Sequence, residues 1–130
     1  MTGRAQCSLT RAIALHATHF FPAGGPPEVH GHLYRIEVTV SAMIDSSRRT
    51  VIDLATLDGI LTREIAQSLA GSHLNDSIPE FAVGQQLPTC EAFAAWCWRT
   101  IAPQLPAGAA LERVRVAEDN TLWADCTGVA

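Results

Sequence analysis

Lysine is missing from this 130-residue sequence, and all nine basic residues are arginine. That excludes catalysis through a lysine Schiff base and any lysine-bound pyridoxal phosphate. An excess of positive charge is also missing. The net charge is −4, so no broad electrostatic grip on nucleic acid or an anionic membrane is expected. No apolar run approaches the ~20 residues needed to span a bilayer. The four cysteines, Cys7, Cys90, Cys97 and Cys126, form no C-x-x-C pair. The start, "MTGRAQCSLTR", has no apolar signal-peptide core, so buried reduced thiols in a soluble cytoplasmic protein are expected. Internal repeats, low-complexity segments and composition breaks are missing too, which points to one domain over 1–130.

What is present is the make-up of a folded globular chain, with 48% hydrophobic and 17% charged residues. "CSLTRAIALHATHFF" alternates Leu9, Arg11, Ile13 and Leu15 against Ser8, Thr10, Ala12 and Ala14, which predicts a strand. "PAGGPPE", Pro22 to Glu28, is loop chemistry. "HLYRIEVTVSAMI" resumes with Tyr34, Ile36, Val38 and Val40 on one face, a second strand. After the loop "DSSRR" the period changes. Leu57, Leu61, Ile65 and Leu69 recur every four residues, with Leu54 one turn earlier. This predicts a helix over Leu54 to Ala70, with Asp53 as N-cap and Gly71 just past the end. A long connection leads to a second helix, which Thr89 would cap and which carries Phe93, Trp96, Cys97 and Ile101 on one stripe. "ALERVRVAED" and "TLWADCTG" read as two final strands joined at the turn "EDNT". The order ββααββ predicts an α+β domain, a four-stranded antiparallel sheet with two helices on one face. Open sheet edges in so short a chain favour closure by oligomerising.

Four of the five histidines fall between positions 16 and 32. On a strand His30 and His32 share a face, and Gly31 between them admits close approach. Imidazole pairs of this kind suit zinc in a tetrahedral site, with a third ligand from elsewhere. His16 and His19 on the preceding strand are the candidates, and their spacing of three puts them on opposite faces, so one of the two can join. Three protein ligands with an open fourth position would be a site of catalytic type.

The run of motifs "LHATHFF", "HGHLYRIEVTV", "VIDLATLD", "SHLND", "LPTCEAFAAWCW" and "VRVAED" resembles the 6-pyruvoyltetrahydropterin synthase family, over nearly the whole chain and in order. That family includes the bacterial 6-carboxytetrahydropterin synthases of deazapurine biosynthesis. The resemblance implies a tunnelling fold (T-fold), in which trimers form a barrel and stack as hexamers with active sites between subunits. It also implies zinc (Zn2+) held by His19, His30 and His32, since "LHATH" matches the family's "F-x-A-x-H" with His19 in the ligand place. His73 in "SHLND" matches the catalytic histidine. Glu118 matches the glutamate that anchors the pterin, a task suited to a carboxylate that accepts paired N–H bonds. Thr89 matches a threonine beside the same ring, and Asp53 an aspartate whose part is a structural cap.

Two positions depart from the family pattern. Pro26 stands where the cysteine base is expected, and proline cannot take a proton. Ser72 stands where an aspartate orients the catalytic histidine. Glu28, two residues before His30, is the nearest replacement base; some relatives lacking the cysteine use a glutamate upstream of H-G-H. The expectation is a zinc-dependent lyase or cyclase with altered proton-transfer groups, Glu28 and His73. It would act on a pterin-like or other small carbonyl or hydroxyl substrate, as a homo-oligomer. The alternatives are a conventional 6-carboxytetrahydropterin synthase and a non-catalytic ligand-binding T-fold protein.

Overall fold

A computed structural model describes residues 3–22 and 28–130. Two long strands dominate it. β1 (Ala5–His19) and β2 (His30–Ile44) pair antiparallel along their whole length, from Ala5 opposite Ile44 to His19 opposite His30. Alternation sends Leu15, Ala17 and His19 of β1, and His32, Tyr34 and Ile36 of β2, to one face. Thr10, Ala12, Ala14, His16 and Thr18 go to the other.

The predicted first helix forms in three pieces. It is α-helical over α1 (Leu54–Leu61), widens into a π turn over Thr62–Ala66, and returns as α2 (Gln67–Leu69). A four-residue apolar spacing overshoots a 3.6-residue turn by about 40° each time. The wider π turn absorbs that drift. Leu57, Leu61, Ile65 and Leu69 therefore all stay on the core, at most 2% exposed, whereas Leu54 lies 45% exposed. Asp53 caps α1 by accepting the Thr56 N–H.

The expected four-stranded antiparallel sheet is corrected here to a five-stranded mixed one. Gly71 takes a positive φ of 70° at the helix end and donates its N–H to the His16 carbonyl. That turn lays β3 (Ser72–His73) parallel to Ala17–Thr18 on the outer edge of β1. Two residues bounded by glycine and a helix leave no periodicity from which to read a strand. The connection beyond is also structured, with α3 (Leu74–Ser77) and a 3-10 turn over Pro79–Phe81. α4 (Cys90–Ile101) follows Thr89, whose hydroxyl accepts the Ala92 N–H. β4 (Ala110–Ala117) and β5 (Trp123–Cys126) complete the sheet order β3-β1-β2-β4-β5.

The core lies between the sheet and the helices. Phe93, Cys97 and Ile101 of α4 meet Ile36, Val38, Val114 and Val116 there, all fully buried. The four cysteines are free thiols. Among the described residues no helix is long and apolar enough to cross a membrane.

Candidate metal and active site

The inward face of the sheet ends in polar groups. His19 is the last residue of β1 and only 2% exposed. Ala17 pairs with His32, so both lie on the face that His19 shares, and the two imidazoles meet at the strand ends. Their Nε2 atoms are 3.3 Å apart. Glu118, just past the end of β4, brings Oε2 to 3.2 Å from His32 Nε2. Ligand atoms of His19, His32 and Glu118 all fall within 4.8 Å of one another.

This geometry suits a small cation. Two bonds of about 2.05 Å at the tetrahedral angle place zinc-bound nitrogens about 3.3 Å apart, the separation of the two Nε2 atoms. His19 Nδ1 faces the Pro88 carbonyl at 3.1 Å. A carbonyl only accepts, so the His19 proton sits on Nδ1 and Nε2 keeps its lone pair. Burial, and then the neighbouring His32, hold the His19 imidazole below its usual pKa, against the pull of the Pro88 carbonyl. It is therefore neutral at neutral pH, as a ligand must be.

His30 stands at the rim. It shares the inward face, with its ring centroid 6.2 Å from that of His19 and 6.5 Å from that of His32. Its Nε2 lies 3.7 Å from a Glu28 carboxylate that is 85% exposed. The tight cluster thus contains two of the three expected zinc ligands plus Glu118, which the resemblance assigned to the pterin. Thr89 spends its hydroxyl on the α4 cap, next to Pro88.

His73 goes elsewhere. It pairs with Thr18, so both point to the outer face, opposite His19. Thr18 Oγ1 and His73 Nδ1 are 2.8 Å apart, and the His73 ring stacks on Phe20 with centroids 5.7 Å apart. The bond expected from an aspartate at position 72 is made instead by a threonine hydroxyl, while the Ser72 hydroxyl is buried without a partner. A cleft of about 350 Å³ opens at this edge of the sheet, lined by His16, Ala17, Thr18, Gly31, His32, Leu33, Gly71 and Ser72. Pro26, in the place of the expected cysteine, lies outside the described residues.

Three residues around the cluster were not singled out for the site from sequence. Tyr34, 1% exposed, brings its hydroxyl to 3.0 Å from His19 Nδ1. Burial, then Cys90 and Glu118, push its phenol pKa up, so it stays protonated. Cys90, at the start of α4, is pushed up to about 11 by burial and then by the Glu118 charge, and holds its proton at neutral pH. Asn75 accepts the Phe20 N–H at 3.0 Å and donates to the carbonyls of Phe20 and Phe81, fixing the chain just beyond His19. The period-two step from His32 to Tyr34 was the one signal available for the tyrosine. Nothing local marks Cys90 or Asn75.

A sheet backed by helices, with two histidines and a carboxylate converging at its strand ends, defines an α+β protein of the T-fold class. The profile of the 6-pyruvoyl tetrahydropterin synthase family matches residues 8–129, and the chain belongs to that family. It is 31% identical over 134 residues to the Homo sapiens 6-pyruvoyl tetrahydrobiopterin synthase, covering 92% of this chain and 90% of that one. The Poecilia reticulata synthase is 34% identical over 94 residues, 72% of this chain and 62% of that protein. Among solved structures, the Caenorhabditis elegans synthase superposes with a TM-score of 0.83 at 16% identity, covering 96% and 97% of the two chains. A Plasmodium vivax synthase, described as a mutant of a catalytic glutamate, superposes at 0.71 with 14% identity, over 94% and 97%. These two show the shared fold.

Proposed function

We propose that this chain is a zinc-dependent lyase or cyclase that acts on a pterin-like or other small carbonyl or hydroxyl substrate. The observation that carries this is the meeting of His19 Nε2 and His32 Nε2 at 3.3 Å, with Glu118 3.2 Å from the latter. His19, His32 and His30 would hold the metal, with the Glu118 carboxylate beside them. When bound, zinc supplies Lewis acidity that polarises a substrate carbonyl or hydroxyl and stabilises a developing oxyanion. Glu118, 16% exposed at its side chain, would accept paired N–H bonds from an aminopyrimidinone ring. Thr89, as the α4 cap, holds the neighbouring backbone beside that ring.

Glu28 and His73 are the proton-transfer groups in this reading. For Glu28 the support is its place over His30, together with the Plasmodium vivax synthase, described as having a catalytic glutamate. His73 lies on the face opposite its own chain's cluster, so it would act at the site of a neighbouring copy. That is the physical reason to propose a homo-oligomer, trimer or hexamer, and the open edge of β1 beyond the two residues of β3 offers a surface for pairing. The four free thiols fit a cytoplasmic protein.

A non-catalytic ligand-binding role is the second reading, favoured by the exposed Glu28 and the outward His73. The test has two stages. Metal analysis of the purified protein should find stoichiometric zinc, reduced in His30→Ala; protein holding no metal removes the central claim. Incubation with dihydroneopterin triphosphate, followed by mass spectrometry, then checks conversion. The conventional 6-carboxytetrahydropterin product would favour that alternative. Turnover lost in both Glu28→Gln and His73→Ala supports the lyase or cyclase reading. Unchanged turnover in both removes these two groups from the mechanism.

A further inference from the structure

We propose that Tyr34 is a positioning residue of the metal site: its phenol oxygen and the Pro88 carbonyl share the Nδ1–H of His19 and aim the Nε2 lone pair into the cluster. This rests on the zinc reading above and names a group on which that site depends.

The arrangement starts from strand geometry. Tyr34 lies two residues after His32 on the same face of β2, directly opposite Leu15. Its ring is held edge-on by Phe93, with centroids 5.4 Å apart at 87°. It also stands edge-on to both ligand rings, 5.4 Å from His32 and 6.2 Å from His19. Packing from three sides therefore delivers the hydroxyl to a single place, 3.0 Å from His19 Nδ1. The Pro88 carbonyl reaches the same nitrogen at 3.1 Å.

A neutral imidazole has one N–H to give. The carbonyl can only accept, so the proton sits on Nδ1, and the tyrosine oxygen accepts the same proton in a three-centre bond. With two acceptors on one nitrogen, ring rotation about χ2 would break both bonds together. Nε2 is thereby left facing His32 Nε2 at 3.3 Å. The three groups come from β1, β2 and the turn before α4, so ring orientation is tied to the packing of strands against helix. Outer partners of this type fix the tautomer and orientation of a ligating histidine.

The test compares full-length wild type with Tyr34→Phe, which keeps the ring and its packing and removes only the hydroxyl. Zinc affinity is measured by competition with a chromophoric chelator, and ligand geometry by the visible absorption of the cobalt-substituted protein. We expect affinity to fall by about tenfold, the lower end for loss of an outer partner, with a changed cobalt spectrum. A second variant, Ile101→Val, thins the core at the far end of α4 and leaves the packing around Tyr34 intact; it should lower the melting temperature while leaving zinc affinity within about twofold. Wild type that binds zinc, with a Tyr34→Phe variant unchanged in affinity and spectrum, overturns this inference alone. Equal loss of affinity in Ile101→Val overturns it as well, because general loss of stability rather than the hydroxyl would then be responsible. Wild type that binds no zinc overturns both this inference and the function proposed above.

Discussion

The two faces of the sheet handle polar groups in opposite ways. On the inward side, His19 and Tyr34 of the sheet and Asn75 of α3 are buried to 4% exposure or less, and each is held by named partners at 3.0 to 3.2 Å. On the outward face the polar groups form ladders in partial contact with water. Glu37 lies between Arg35 and Arg113, Arg115 makes a forked pair with Asp125, and the hydroxyls of Thr10 and Thr39 meet at 2.7 Å. Both faces come from the same strands, one residue out of step. The inward polar groups are ordered by a core in which an unmatched polar atom is costly, whereas most of those outside are screened by water and are individually weak. A site that must hold ligand atoms to fractions of an ångström belongs on the inward face.

Substitutions can break this contrast, beginning with the largest effect. Phe93→Ala removes the ring that packs edge-on against both Tyr34 and Phe81. It should cost about 3–5 kcal/mol by chemical denaturation. A cost below about 1 kcal/mol would mean that the inward face is loosely packed. Next comes Asn75→Ala, which strands the N–H and carbonyl of Phe20 and the carbonyl of Phe81. A loss of about 2 kcal/mol is expected, together with faster amide exchange at Phe20.

Smaller effects sharpen the comparison. Arg115→Gln breaks the pair with Asp125 on the outward face. It should move the melting temperature by no more than about 2 °C, and less still in high salt. The same pair sets a pH dependence. Hydrogen bonding from Arg115 holds the Asp125 carboxyl below its usual range. Its stabilisation is thus complete above about pH 3.9 and is lost as the pH falls further and the carboxylate is protonated. Acid titration of Arg115→Gln should show a shallower loss of stability below pH 4 than wild type, and identical slopes would refute the assignment. Smallest of all is Ser72→Ala. The Ser72 hydroxyl is buried without a partner, so its removal should leave stability unchanged within about 0.5 kcal/mol or raise it slightly.

The histidines show how far the sequence could be read. His16 and His19, three apart, were expected on opposite faces, and the structure leaves His16 exposed outside and buries His19 within. That His30 and His32 share a face was legible from period two, whereas the choice of His19 over His16 came from the family motif. Glu118 is 86 residues beyond His32 in sequence, and no local pattern says that its oxygen comes to 3.2 Å from that ring. His73 shows the converse. Its motif marked it as a companion of the metal ligands, but parallel pairing with Thr18 turns it outward.

By itself the sequence determined which residues alternate inward, where the long strands and the capped helices run, and which family the chain resembles. These follow from side-chain period, capping chemistry and local motif, all of which act over a few residues. Only the tertiary structure decided that a two-residue parallel strand joins the sheet, that a π turn brings the leucine stripe back into register, and that Tyr34 and Pro88 converge on one nitrogen of His19. Those depend on contacts between segments far apart in the chain, whose geometry is set when the core closes and buried polar atoms such as His19 Nδ1 meet their partners.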